Sequence, residues 1–186
     1  MKKYALIIVD MQNDFVLTEK TAVKGARATV PAIKNAMRIC HEKHIPVFHV
    51  IRAYDTNGDN AEIFRKSLFQ KGQGFCIAGT DGAKIVQELA PHAEDTVVVK
   101  PRFSAFFGTN LLQLLREKNI THLLVAGTQY PNCIRATAVD ALCHDFHTTV
   151  LTDCCSAQTD EIAKTNCRDL QNMGIMCLDF SKCVLD

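Results

Sequence analysis

The stretch HLLVAGTQYPNCIRATAVDAL, residues 122–142, falls into two parts. Residues 122–127 form a short apolar run that stops at glycine, which reads as a buried strand. From residue 132 onward the chain changes to small and apolar residues at helical spacing. A strand passing into a helix through a Gly- and Pro-bearing turn is the first half of a βαβ unit. Cys133 stands at the junction, where reaction chemistry, metal binding or simple thiol packing could each explain it.

The same alternation extends in both directions. Short apolar runs occur at 4–9, 46–51, 96–99, 122–127, 148–152 and 174–178. Helix-period stretches lie near 30–43, 82–90, 109–118, 132–145 and 160–173, several behind capping residues such as Thr109 and Thr159. Strands alternating with helices predict an α/β fold, a mostly parallel six-stranded sheet between helical layers. No repeat, low-complexity segment or linker divides the chain, so residues 1–186 are expected to form one domain.

Composition excludes several functions. Hydrophobic residues make up 47% and charged residues 22%, with a net charge of +1 and no basic block, so nucleic-acid binding has no electrostatic basis. The start MKKYALIIVD resembles a signal peptide, but its apolar run meets Asp10 too early for a leader or a membrane span. A soluble, cytoplasmic protein is expected. Its nine cysteines include no C-x-x-C pair and are expected to be reduced, mostly core thiols, adjacent Cys154 and Cys155 among them.

Residues 52–82 break the pattern: they are rich in glycine, polar residues and scattered aromatics, and they follow a strand. A segment of that length is expected to be a pocket wall or lid. Its glycines do not form G-x-G-x-x-G, so a dinucleotide fingerprint is absent.

Ligands of open parallel sheets bind beyond the carboxyl ends of the strands. Asp10, Lys100 and Cys133 all fall there, after the first, third and fourth runs. Singly, each has a plainer explanation: a turn cap, a solvated strand end, a core thiol. Together they form a nucleophile, a proton shuttle and an electrostatic organiser, which is acyl-transfer equipment without a metal. A thiol at a helix start is also expected to be biased toward thiolate.

The ordered set ALIIVDMQNDF, VVVKPRFSAFFGTNL, HLLVAGTQYPNCIRATAVDAL and VLTDCCSA resembles the isochorismatase-like cysteine hydrolases, relatives of nicotinamidase and N-carbamoylsarcosine amidase. The resemblance runs nearly end to end. It implies strand order 3-2-1-4-5-6, a catalytic triad of Asp10, Lys100 and Cys133, and a cis peptide between Thr128 and Gln129. It also implies an oxyanion hole from the N–H groups of Gln129 and Cys133, and a homo-oligomer, dimer or tetramer, that shares part of the phenylalanine-rich 103–107 region. Tyr130 and Pro131 stand where the family carries threonine and an acidic residue.

The metal site of nicotinamidases needs Asp-x-His and a second His after the second strand. Here Asp55 is followed by Thr56 and Asn57, and no histidine lies between His49 and His92. His41/His44 and His144/His147 have helical spacing but no evident third ligand. No metal and no cofactor is expected. The expected partner is a small-molecule substrate, an amide, ureido or carbamoyl compound, with no nucleic acid and no membrane. Phe15, Phe103 and Tyr130 are candidate pocket walls, and Arg52, Arg102 and Arg135 are candidate partners for a substrate carboxylate. Two other functions compete: a thiol redox protein using Cys133, which needs a resolving cysteine, and a binding protein without catalysis.

Overall fold

The computed structural model describes residues 2–185. Its elements alternate along the chain: β1 (Tyr4–Val9), α1 (Asn13–Val16), α2 (Ala26–Glu42), β2 (Val47–Ile51), α3 (Lys66–Gln70), β3 (Thr96–Val99), α4 (Leu111–Glu117), β4 (His122–Thr128), α5 (Arg135–Cys143), β5 (His147–Ser156), α6 (Asp160–Asn172) and β6 (Met176–Leu178). The strands form one sheet in the order β3-β2-β1-β4-β5-β6, and every neighbouring pair is parallel. No helix among the described residues is long and apolar enough to cross a membrane.

Strand alternation divides the core in two. Ala5, Ile7 and Val9 of β1 face a cluster that includes Leu111 and Leu115 of α4, Ala138 of α5 and Leu170 of α6. Leu6 and Ile8 face the opposite cluster, built with Ile33, Ala36 and Met37 of α2. With both faces covered, β1 carries no polar position, as its continuous apolar run requires. Cys154 and Cys155, adjacent on β5, enter opposite clusters and share no site.

Two expected helices differ. Residues 82–90 form two short 3-10 turns, Asp81–Ala83 and Gln87–Leu89, rather than one helix. The loop after β1 takes up their backbone groups: Asn13 N–H donates to the Lys84 carbonyl, Gln12 Nε2 to the Ala83 carbonyl, and Val86 N–H to the Met11 carbonyl. A helical i→i−4 ladder cannot form from groups already bonded elsewhere. The stretch expected as a helix from 132 begins as a π-type turn, Tyr130–Ile134, in which Ile134 N–H donates to the Gln129 carbonyl; α5 starts only at Arg135. Thr159 caps α6 by accepting from Ile162 N–H, while Thr109 Oγ1 accepts from Leu111 N–H at the entry to α4.

Residues 52–82 fold over the carboxyl ends of β1 and β2 around a small cluster of their own, Tyr54, Ala61, Phe69, Phe75 and Cys76. Phe15, from α1, packs on this cap.

Candidate active site

Three strand ends converge beneath the cap. Asp10 N–H donates to the Val50 carbonyl at 2.8 Å, extending the β1–β2 ladder by one residue. Its φ of 55° then turns the chain out of the strand, a conformation that aspartate enters more readily than most residues. Lys100 N–H donates to the Ile51 carbonyl at 2.9 Å and extends β3 in the same way. The end of β4 is drawn tight against β1 because Gly127, at φ 115°, has no side chain: a Cβ there would stand 2.1 Å from the Val9 carbonyl oxygen. The Thr128–Gln129 bond that follows is cis, and the π-type turn then carries Cys133.

Lys100 Nζ donates to Asp10 Oδ2 at 2.8 Å and lies 3.5 Å from Cys133 Sγ. All three side chains are buried. Asp10 Oδ1 has no hydrogen-bond partner among the described residues, which leaves a buried acceptor free to take a proton. Burial raises the Cys133 thiol above its ordinary value and the Asp10 carboxylate adds to the rise, against the opposing pull of Lys100 and Arg52. The resting form is therefore the thiol. The expected bias toward thiolate is corrected: desolvation and a neighbouring carboxylate outweigh the nearby cations, and Cys133 lies before the first turn of α5.

Arg52 lies closer to the chemistry than a substrate clamp would. Its Nη2 is 3.5 Å from Cys133 Sγ and its Nε 3.6 Å from Asp10 Oδ2, while Nη1 donates to Glu62 Oε1 at 2.5 Å and to the Tyr54 hydroxyl at 2.6 Å. Buried Gln12 locks the Arg52 backbone, accepting from its N–H at 2.8 Å and donating to its carbonyl at 2.7 Å. Burial works against an ionised Glu62, but Arg52, the Tyr54 hydroxyl and Arg65 hold its carboxyl below the ordinary range.

The inner pocket is bounded by Asp10, Phe15, Val23, Arg52, Arg65, Thr128, Gln129, Asn132 and Cys133, and encloses about 10 Å³, roughly room for one water. Outside it lies a cleft of about 680 Å³ that shares Phe15, Arg65 and Gln129 and is walled by Phe64, Leu68 and Phe75.

Residues 4–181 match the isochorismatase domain. This chain belongs to the isochorismatase family. A probable inactive nicotinamidase from Arabidopsis thaliana is 41% identical over 175 residues, covering 92% of this chain and 89% of that protein. The crystal structure of an isochorismatase family protein from Desulfovibrio vulgaris matches with a TM-score of 0.95 and 48% identity, over 97% of this chain and 96% of that one. N-carbamoylsarcosine amidase from Thermoplasma acidophilum matches with a TM-score of 0.84 and 27% identity, over 99% of both chains.

As an isochorismatase-family hydrolase, the chain gathers Asp10, Lys100, Cys133, Thr128, Gln129, Phe15 and Arg52 around one pocket. Phe103 stands just behind, its ring 5.5 Å from Arg52 Cζ and 5.4 Å from Arg65 Cζ. Tyr130 does not join them. It turns into the core and lines a separate groove with Thr152, Cys155 and Cys167, because the π-type turn sends successive side chains to different sides. Arg102 Nη1 donates to the Asn60 and Pro101 carbonyls, and Arg135 pairs with Asp169 on α6, so neither bounds the pocket. His41 and His49 bond to Asp95, and His41, His92 and Glu94 bring ligand atoms within 4.8 Å of one another ahead of β3, far from Lys100 along that strand. Several site residues escaped sequence reasoning, among them Val23, Asn132 and Arg65 of the inner pocket and Tyr54 and Glu62 beside it. Glu62 and Arg65 belong to the aperiodic 52–82 segment, where no strand or helix period marks which side chains point inward.

Proposed function

We propose that the chain hydrolyses a C–N bond of a small amide, ureido or carbamoyl compound through a Cys133 thioester. The observation carrying this reading is the buried Asp10–Lys100–Cys133 constellation, with the free Oδ1 acceptor of Asp10 beside a protonated thiol. Asp10 takes the thiol proton as sulfur attacks the carbonyl carbon. The N–H groups of Gln129 and Cys133 receive the negative oxygen of the tetrahedral intermediate. Asp10 then returns the proton to the leaving nitrogen, the C–N bond breaks, and the acyl group stays on sulfur. Water, deprotonated by Asp10, attacks the thioester, releasing the acid and restoring the thiol. Lys100 and Arg52 hold the charges of the site in register throughout. A redox role for Cys133 has less support, since Cys143 is exposed at the far end of α5.

Cys133→Ala should lower turnover by at least ~10³-fold with an unchanged melting temperature. Mass spectrometry of the wild-type protein quenched with a turned-over amide should find the acyl group on Cys133. Full activity of a folded Cys133→Ala protein would sink the mechanism. A cytoplasmic setting belongs to the same reading, supported by nine cysteines that are all free thiols. So does self-association, supported by the exposed apolar side chains Phe64 and Phe107 and by Val97 and Val99 on the edge strand β3.

A further inference from the structure

A second group of polar side chains gathers at the opposite end of β3 from Lys100. Asp95, in the turn that enters β3, is buried, and both its oxygens are engaged. Oδ1 accepts from His41 Nε2 at 2.7 Å, while Oδ2 accepts from the His92 backbone N–H at 2.9 Å and from His49 Nε2 at 3.3 Å. Burial works against an ionised Asp95, but the bonds from His41, His92 and His49 hold its carboxyl below the ordinary range. An ionised carboxylate only accepts, so the proton of His41 sits on Nε2 and leaves a lone pair on Nδ1. This network anchors the turn without using three of the groups around it. His41 Nδ1, the His92 ring and the Glu94 carboxylate make no hydrogen bond to any described residue.

Those side chains converge. His41, His92 and Glu94 each offer one ligand atom, all within 4.8 Å of one another. The two rings stack at 4.1 Å with their planes 17° apart, and His92 Nδ1 stands 3.9 Å from Glu94 Oε1. Ligand atoms around one tetrahedral ion lie ~3.3 Å apart when the bonds are about 2.0–2.1 Å. The remaining closure falls on His92 and Glu94, exposed at 57% and 67%, while His41, at 13%, is held by Asp95. A histidine that gives its other nitrogen to a buried carboxylate has its ring and tautomer fixed for a metal. Charge favours a cation as well. The adjoining groove brings Lys34, Arg38, Glu42 and Glu88 beside the histidines, so with Glu94 and Asp95 four carboxylates face two cations. Arg38 is itself paired with Glu42 at 2.6 Å.

We propose that His41, His92 and Glu94 form a site for a divalent transition-metal ion of the zinc class, with water completing the coordination. Two imidazoles and one carboxylate suit zinc, cobalt or nickel, whereas calcium and magnesium take oxygen ligands. The ligands come from the end of α2 and from the turn before β3, so the ion ties a helix to the edge strand. The site shares no residue with the Cys133 pocket. His44 does not contribute, because at φ 55° it has left α2 and lies outside the converging group. His122 and His147 also stack, at 4.5 Å, but no carboxylate among the described residues joins them, and His122 Nδ1 is already engaged by Thr121 Oγ1 at 2.9 Å.

Cobalt(II) is the probe, because its spectrum reports its ligands. Titrated into the reduced protein at pH 7.5, it should bind at micromolar concentration with visible d–d absorption. The near-ultraviolet charge transfer that thiolate ligands produce should be absent, and zinc should displace the cobalt. With cobalt at roughly 100 times Kd, the melting temperature should rise by about 5 °C. His92→Gln and Glu94→Gln change exposed side chains, and each should weaken binding at least ~10-fold and remove that rise. His41→Gln should do the same; where it fails to fold, the two exposed variants decide. His44→Asn and His122→Gln should bind cobalt as the wild type does. Binding weaker than ~100 µM overturns the proposal. So does a smaller loss in His92→Gln or Glu94→Gln, an equal loss in His122→Gln, or thiolate charge transfer as the sole signal.

Discussion

At Cys133, burial and the Asp10 carboxylate both push the thiol up, so the anion that would accept the proton also suppresses its spontaneous loss. That arrangement protects a nucleophile from adventitious alkylation until substrate arrives, and it makes an asymmetric prediction. Asp10→Asn removes the proton acceptor, so turnover should be lost. It also removes a negative charge beside sulfur, so the thiol should ionise at lower pH. Iodoacetamide should therefore alkylate Cys133 faster in Asp10→Asn than in the wild type at pH 8, with the midpoint of the pH–rate curve displaced downward. Peptide mass spectrometry across a pH series reads both; an unchanged or raised midpoint would mean that Asp10 exerts no field on the sulfur.

Among the elements, the contact between β1 and β4 carries the site, because Asp10 leaves one strand and the Cys133 turn leaves the other. Val9 and Gly127 are paired across these strands, and the missing side chain of Gly127 lets the two ends meet. Gly127→Ala would drive a Cβ into the Val9 backbone at a positive φ that an alanine seldom adopts. The loss of stability should be about 3 kcal/mol, from overpacking and backbone strain together. Urea denaturation measures it, and activity at temperatures where the variant stays folded should fall as well, since the displaced strand end carries Asp10. A variant as stable as the wild type would show that β1 yields without cost.

On the scale of the whole molecule, β3 is an edge strand with Val97 about half exposed (47%) and Val99 likewise (52%), and Ile63 and Phe64 of the cap stand out in solvent at 90% and 64%. Natural edge strands are usually covered or charged. Sedimentation at micromolar concentration should find a dimer or larger assembly, and Phe107→Asp should shift it toward monomer if the 103–107 region is shared as proposed. A wild-type monomer under those conditions would remove the proposal.

Local pattern carried much of this protein by itself. Runs such as YALIIV and HLLVAG are apolar throughout because both faces of a parallel strand are covered, so they announced the sheet, and the strand-end rule brought Asp10, Lys100 and Cys133 to one side of it. Strand order, the cis bond and the oxyanion donors were expected from family resemblance, not from periodicity. The tertiary structure alone decided three things. It turned residues 82–90 away from helix, because Gln12, Asn13 and Met11 compete for their backbone groups. It made Cys133 a thiol, because desolvation depends on what packs around sulfur and not on sequence neighbours. And it brought Glu62 and Arg65 to Arg52 over the nucleophile, since a segment without period gives no sign of which of its side chains face inward until it folds against the strand ends.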